Sequence, residues 1–118
     1  MNLVSALQKH LDWKIIFRNT ISEQGEMDAV TIAKDNYCEL GKWLHGEGKN
    51  ECSAFPGYAV TLAKHAEFHI EAGKIASAIN EKKFTEAEAM LDGDSAFNTV
   101  SDEVGEAILF LKIETLGL

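Results

Sequence analysis

The sequence predicts an all-α protein, an antiparallel four-helix bundle with a short extra helix that carries a cysteine. Three observations predict it. Apolar residues recur at helical spacing over long stretches, no stretch alternates as a strand would, and the stretches are joined by brief polar or glycine-bearing connections. With 118 residues and no linker-like run, the chain reads as a single domain, 1–118, long enough to bury one core.

Segment one covers residues 3–21. Leu3, Leu7, His10, Leu11, Lys14, Phe17 and Ile21 fall on one stripe, so His10 belongs to the apolar side, and Gly25 ends the segment. Residues 27–33 favour no state. Segment two is short: Asp35 or Asn36 caps a helix beginning near Tyr37, and Asn36 with Glu39 has capping-box spacing. Leu40, Trp43 and Leu44 form its apolar face, and Gly46 and Gly48 stop it. Cys38 then falls in the first turn, where backbone N–H groups and the helix dipole favour a thiolate.

Segment three starts after Ser53, tolerates Pro56 in its first turn and runs to about residue 79 through Tyr58, Leu62, His65, Phe68, His69, Ala72 and Ile75. His65 and His69 stand at i and i+4 and share the inward stripe. A polar turn at 80–83 leads to segment four, one helix over 84–116 weakened and bent by Gly93 and Gly105.

Net charge narrows the function classes. At −8, with no basic patch, the chain would be repelled by a nucleic-acid backbone. No apolar run reaches the roughly 20 residues of a membrane span, which predicts no membrane insertion. The first residues lack the features of a signal peptide, and two cysteines make no disulfide framework, so the expected location is the reducing cytoplasm. Cys52 reads as a free thiol in a polar loop.

Three imidazoles and one thiol make a full tetrahedral zinc set: His10, Cys38, His65 and His69, drawn from three segments. Each residue alone has a plainer reading, as a core histidine or a small buried hydrophobe. The conjunction points to Zn2+, because burying four such groups without partners is costly. Ala66 follows His65, so the HExxH motif of zinc proteases is absent. The paired Glu-x-x-His motifs of a di-iron bundle enzyme are missing as well. The chain is expected not to be an enzyme. Trp13 and Trp43 are expected to pack around the centre, and Gly41 to permit close helix approach. Asp35 is read as a cap or as a hydrogen-bond partner near the Cys38 sulfur, and His45 as an exposed cap partner.

His10-x-x-Trp13, the run Cys38-Glu39-Leu40-Gly41-Lys42-Trp43-Leu44, Tyr58 and His65-x-x-Phe68-His69 together resemble the chemoreceptor zinc-binding domain family. The resemblance implies a helical bundle with zinc held by three histidines and one cysteine, carried onto His10, Cys38, His65 and His69. It also implies a sensory domain of bacterial chemoreceptors or diguanylate cyclases. There, zinc or an oxidant such as hypochlorous acid, acting at redox-sensitive Cys38, alters a signalling output. Dimeric relatives, together with spare apolar surface on segment four, suggest a homodimer. The alternative is a stand-alone zinc-binding structural or dimerisation module without switching.

Overall fold

A computed structural model describes residues 1–117. Its described elements are all helical: α1 (Leu3–Glu23), α2 (Ala29–Ile32), α3 (Glu39–His45), α4 (Glu47–Cys52), α5 (Pro56–Asn80), α6 (Phe84–Ala89) and α7 (Ala96–Glu114). The predicted all-α bundle is present, with α1, α5 and α7 as its long members.

Local chemistry sets the boundaries. The Asn2 side chain caps α1 by accepting from the Ser5 amide at 3.0 Å. Gln24 takes a left-handed conformation (φ 54°) beyond its end, and its amide and that of Gly25 return to Ile21 and Thr20. Pro56 opens α5 after extended Phe55. Lys82 (φ 63°) ends it, the amides of Lys82 and Lys83 bonding to Ile79 and Ala78.

Segment four is not one helix. Residues 90–95 separate α6 from α7, because Ser95 Oγ accepts from the Asn98 amide at 3.1 Å and Asn98 Nδ2 donates to the Gly93 carbonyl at 3.0 Å. A helix-starting cap therefore lies inside an unbroken apolar period. The helix ends at Glu114 rather than residue 116. Within residues 27–33, which favoured no state in the sequence, lies the short α2, capped by Asp28.

Side-chain pairs give the directions. Lys14 reaches Asn98, and Gly105 lies against Leu7, so α7 runs antiparallel to α1. Gly57 meets Glu114 and Lys64 meets Glu103, so α7 is antiparallel to α5 too. His10 lies beside His65 while Met27 lies beside Asn80, which makes α1 and α5 parallel. Thr61, fully buried on α5, donates to the Ala107 carbonyl at 3.1 Å. Phe97 meets Phe17 and Phe68 where the three long helices converge, with ring centroids 5.7 and 5.3 Å away, and His10 packs edge-on over Phe68 at 5.2 Å. Leu11, placed on the inward stripe by spacing, is 45% exposed. Cys52 is not in a loop: it closes α4 and is buried.

Candidate metal centre

α1 supplies His10, α5 supplies His65 and His69 one turn apart, and Cys38 stands at the head of α3. One ligand atom from each lies within 4.8 Å of every other. Cys38 Sγ is 3.2 Å from His65 Nε2, 3.6 Å from His69 Nε2 and 3.8 Å from His10 Nε2, and the two Nε2 atoms of α5 are 3.0 Å apart. Tetrahedral zinc bonds imply edges of about 3.3 Å between nitrogens and about 3.6 Å from nitrogen to sulfur. The three imidazoles are buried, at 4%, 0% and 3% exposure for His10, His65 and His69, whereas Cys38 is half-buried.

The backbone selects which ring nitrogen faces inward. His10 Nδ1 donates to the Ala6 carbonyl at 2.7 Å, and His69 Nδ1 donates to the Ile32 carbonyl at 2.8 Å. A carbonyl only accepts, so the ring hydrogen of each neutral imidazole sits on Nδ1 and its Nε2 lone pair points at the centre. His65 Nδ1 is buried without a partner. Two fixed lone pairs, a third imidazole and a thiol thus share one small space with few hydrogens among them. A divalent cation satisfies all four donors, and a nitrogen–sulfur set free of carboxylates suits zinc rather than magnesium or calcium.

Cys38 is the N-cap of α3, with Sγ accepting from the Gly41 amide at 3.4 Å, so neither Asp35 nor Asn36 caps this helix and Cys38 is not within its first turn. Its thiol lies above the ordinary value, because burial outweighs the Gly41 and Leu40 amides. The thiolate preference expected from the helix dipole alone is reversed. Burial also pushes His10 down to about 4, and burial together with neighbouring His69 and His10 pushes His65 down to about 2. His69 is lowered by burial, against the opposing Ile32 carbonyl.

The sign of the pH dependence follows. Above about pH 6.5 these imidazoles are neutral whether the metal-free chain is folded or not. Below it, the unfolded chain binds protons that the folded chain refuses, so stability falls with pH down through about 4 for His10 and further for His65. Each unit of that window costs about 1.4 kcal/mol per imidazole. The urea midpoint of metal-free protein is therefore expected to decline steadily from about pH 6.5 to 4.5. A level profile over that range would contradict buried neutral imidazoles.

The surrounding residues take definite places. A Cβ on Gly41 would lie 1.7 Å from the Asp35 carbonyl oxygen and 3.1 Å from His65 Cε1, so the 34–38 loop closes directly on α3 there. The Asp35 carboxylate accepts from exposed His45 Nε2 at 3.0 Å instead of bonding the sulfur. Trp13 stacks on Phe17 with centroids 5.4 Å apart, and the Trp43 ring packs on Gly48, where a Cβ would come within 2.7 Å. Sequence reasoning missed the two carbonyls that orient the rings. The Ala6 carbonyl was discoverable from i−4 spacing, but the Ile32 carbonyl left no signal. It depends on α2 docking at Gly73, where a Cβ would stand 2.6 Å from the Ala33 Cβ.

Fold and site together define a helical domain built round a centre of three histidines and one cysteine. A family model, the chemoreceptor zinc-binding domain, matches residues 10–76, a span that holds all four donors. The chain belongs to the chemoreceptor zinc-binding domain family. No curated protein and no solved structure matches it.

Proposed function

We propose that His10, Cys38, His65 and His69 hold one zinc ion, and that the domain is a non-catalytic cytoplasmic regulator passing its metal or redox state to a signalling output such as a chemoreceptor or diguanylate cyclase. The observation that carries this reading is the convergence of three Nε2 atoms and Sγ within 4.8 Å. Bound zinc supplies charge neutralisation of the thiolate and a cross-link among α1, α3 and α5. Four protein donors close the coordination shell, and this supports regulation or structure over catalysis, which needs an open position.

Two inputs fit. Zinc occupancy shifts the population toward the closed arrangement. Alternatively, the Cys38 thiolate gives an electron pair to hypochlorous acid. Oxygen and its proton end on sulfur as a sulfenic acid, chlorine leaves as chloride, and the oxidised sulfur is a poor ligand. Either input acts on α2 through the His69–Ile32 hydrogen bond and on α3 through its N-cap.

The test is metal content: about one zinc per chain is expected, lost in the Cys38→Ala, His69→Ala double variant. Unaltered zinc binding in that variant, or none in the parent, removes the proposal. The closed, buried donor set also suits a purely structural site. Metal removal that left the bundle and its self-association unchanged would favour that second reading.

A homodimer is part of the proposal. Val4, Leu11 and Ile15 on α1, with Leu109, Phe110 and Ile113 on α7, are exposed apolar side chains on two adjacent helices. A second copy presenting the same face would bury them. A monomeric mass by sedimentation at micromolar concentration would remove this part.

A further inference from the structure

Cys38 is the half-buried member of the centre, and a small cavity of about 90 Å³ lies against it and His10. The cavity is walled by Ser5, Ala6, Lys9 and Trp13 from α1 and by Glu39 and Leu40 from α3. Lys9 Nζ and Glu39 Oε2, both strongly exposed, pair at 3.0 Å and join the two helices at its solvent side. We propose that this cavity is the access pocket through which a small neutral oxidant reaches the Cys38 sulfur, with the Lys9–Glu39 pair as its rim. The proposal rests on the redox reading above and adds a route and a size limit to it.

Three features support the assignment. The first is size: water occupies about 30 Å³ in the liquid, so the space takes a molecule of roughly three non-hydrogen atoms, such as hydrogen peroxide or hypochlorous acid, and excludes bulky disulfides. The second is charge. A chain of net charge −8 disfavours anions, and the rim pair cancels its own charge, which leaves neutral molecules as the preferred visitors. The third is geometry. Cys38 is the half-buried donor, whereas His10, which borders the same cavity, is only 4% exposed with Nδ1 held by the Ala6 carbonyl, and His65 and His69 do not line it, so sulfur is the most accessible donor from this side. The chemistry is the sulfenic-acid step already balanced. With hydrogen peroxide as oxidant, the thiolate electron pair attacks one peroxide oxygen, the O–O bond breaks, that oxygen and its hydrogen end on sulfur as the sulfenic acid, and the other oxygen leaves as hydroxide in place of chloride.

The test uses the full zinc-loaded chain and reads modification of the Cys38 peptide by mass spectrometry, with zinc content measured in parallel. Ser5→Phe fills the cavity from an exposed position and is expected to slow oxidation by hypochlorous acid or peroxide about tenfold or more, with zinc content unchanged. Lys9→Ala opens the rim and is expected to raise the rate with bulky, neutral dithiodipyridine several-fold. A parental oxidation rate in Ser5→Phe, or Lys9→Ala protein no more open to dithiodipyridine, overturns the pocket. Should Ser5→Phe not fold, Lys9→Ala decides alone. Absence of zinc from the parent defeats the earlier reading instead, so the two failures are distinct.

Discussion

Zinc-free protein is expected to melt on the order of 15 °C below the zinc-loaded form. At free zinc about 1,000 times the dissociation constant, linkage alone contributes about 4 kcal/mol. In a domain of this size each kcal/mol moves the midpoint by roughly 4 °C. The loss should be uneven. α5 and α7 are joined by their own packing, with the Thr61–Ala107 hydrogen bond and buried Phe97, Ile108 and Leu111 at or near their contact, none of which is a donor of the centre. The 34–45 stretch depends on Cys38 and on the Gly41 contact. Calorimetry with and without chelator checks the magnitude, and amide hydrogen exchange checks the pattern: protection should fall first in α3 and persist in α5. Equal midpoints would mean that no ion links these helices.

Gly41→Ala is expected to weaken zinc binding at least about tenfold, equivalent to about 1.4 kcal/mol. The added methyl would sit 1.7 Å from the Asp35 carbonyl oxygen, a backbone atom with no rotamer to change. Either the 34–38 loop retreats or α3 does, and both motions carry Cys38 away from the three Nε2 atoms. Overpacking of this kind costs about 1–3 kcal/mol of stability besides. Gly93→Ala is the matched control: a Cβ there meets nothing within 4 Å, and its effect should stay within about 0.5 kcal/mol. Competition with a chromogenic chelator reads the affinity, and urea unfolding reads the stability. Parental affinity in Gly41→Ala would show that the loop is not held where the donors need it.

The parts of the fold that were legible in the residues were those written in side-chain periodicity. Segment three was readable almost whole, because Tyr58, His65, Phe68, His69, Ala72, Ile75 and Ile79 all turn inward and Pro56 marks the start. The grouping of His10, Cys38, His65 and His69 was legible too, since their residue types are chemically unusual on apolar faces. The split of segment four was hidden, because Leu91, Phe97 and Val100 all remain buried across the break and mask the Ser95 cap. The cap of α3 was misplaced because cysteine is not among the usual capping residues, yet here its sulfur accepts from Gly41. Leu11 shows the limit of stripe width: one residue past His10, it has turned out to solvent. What main-chain carbonyls do, as Ile32 does for His69, has no side-chain signature at all.

The four-residue α2 is fastened at two points of different character. Before it, Met27 exchanges two hydrogen bonds with the Asn80 side chain, at 2.8 and 2.7 Å, and neither involves a donor of the centre. At its end, the Ile32 carbonyl is gripped by an imidazole that belongs to the centre. The Met27 end is thus anchored independently of the donors while the Ile32 end is tied to one of them, so a shift of His69 would bear on one end of this short helix and not on the other.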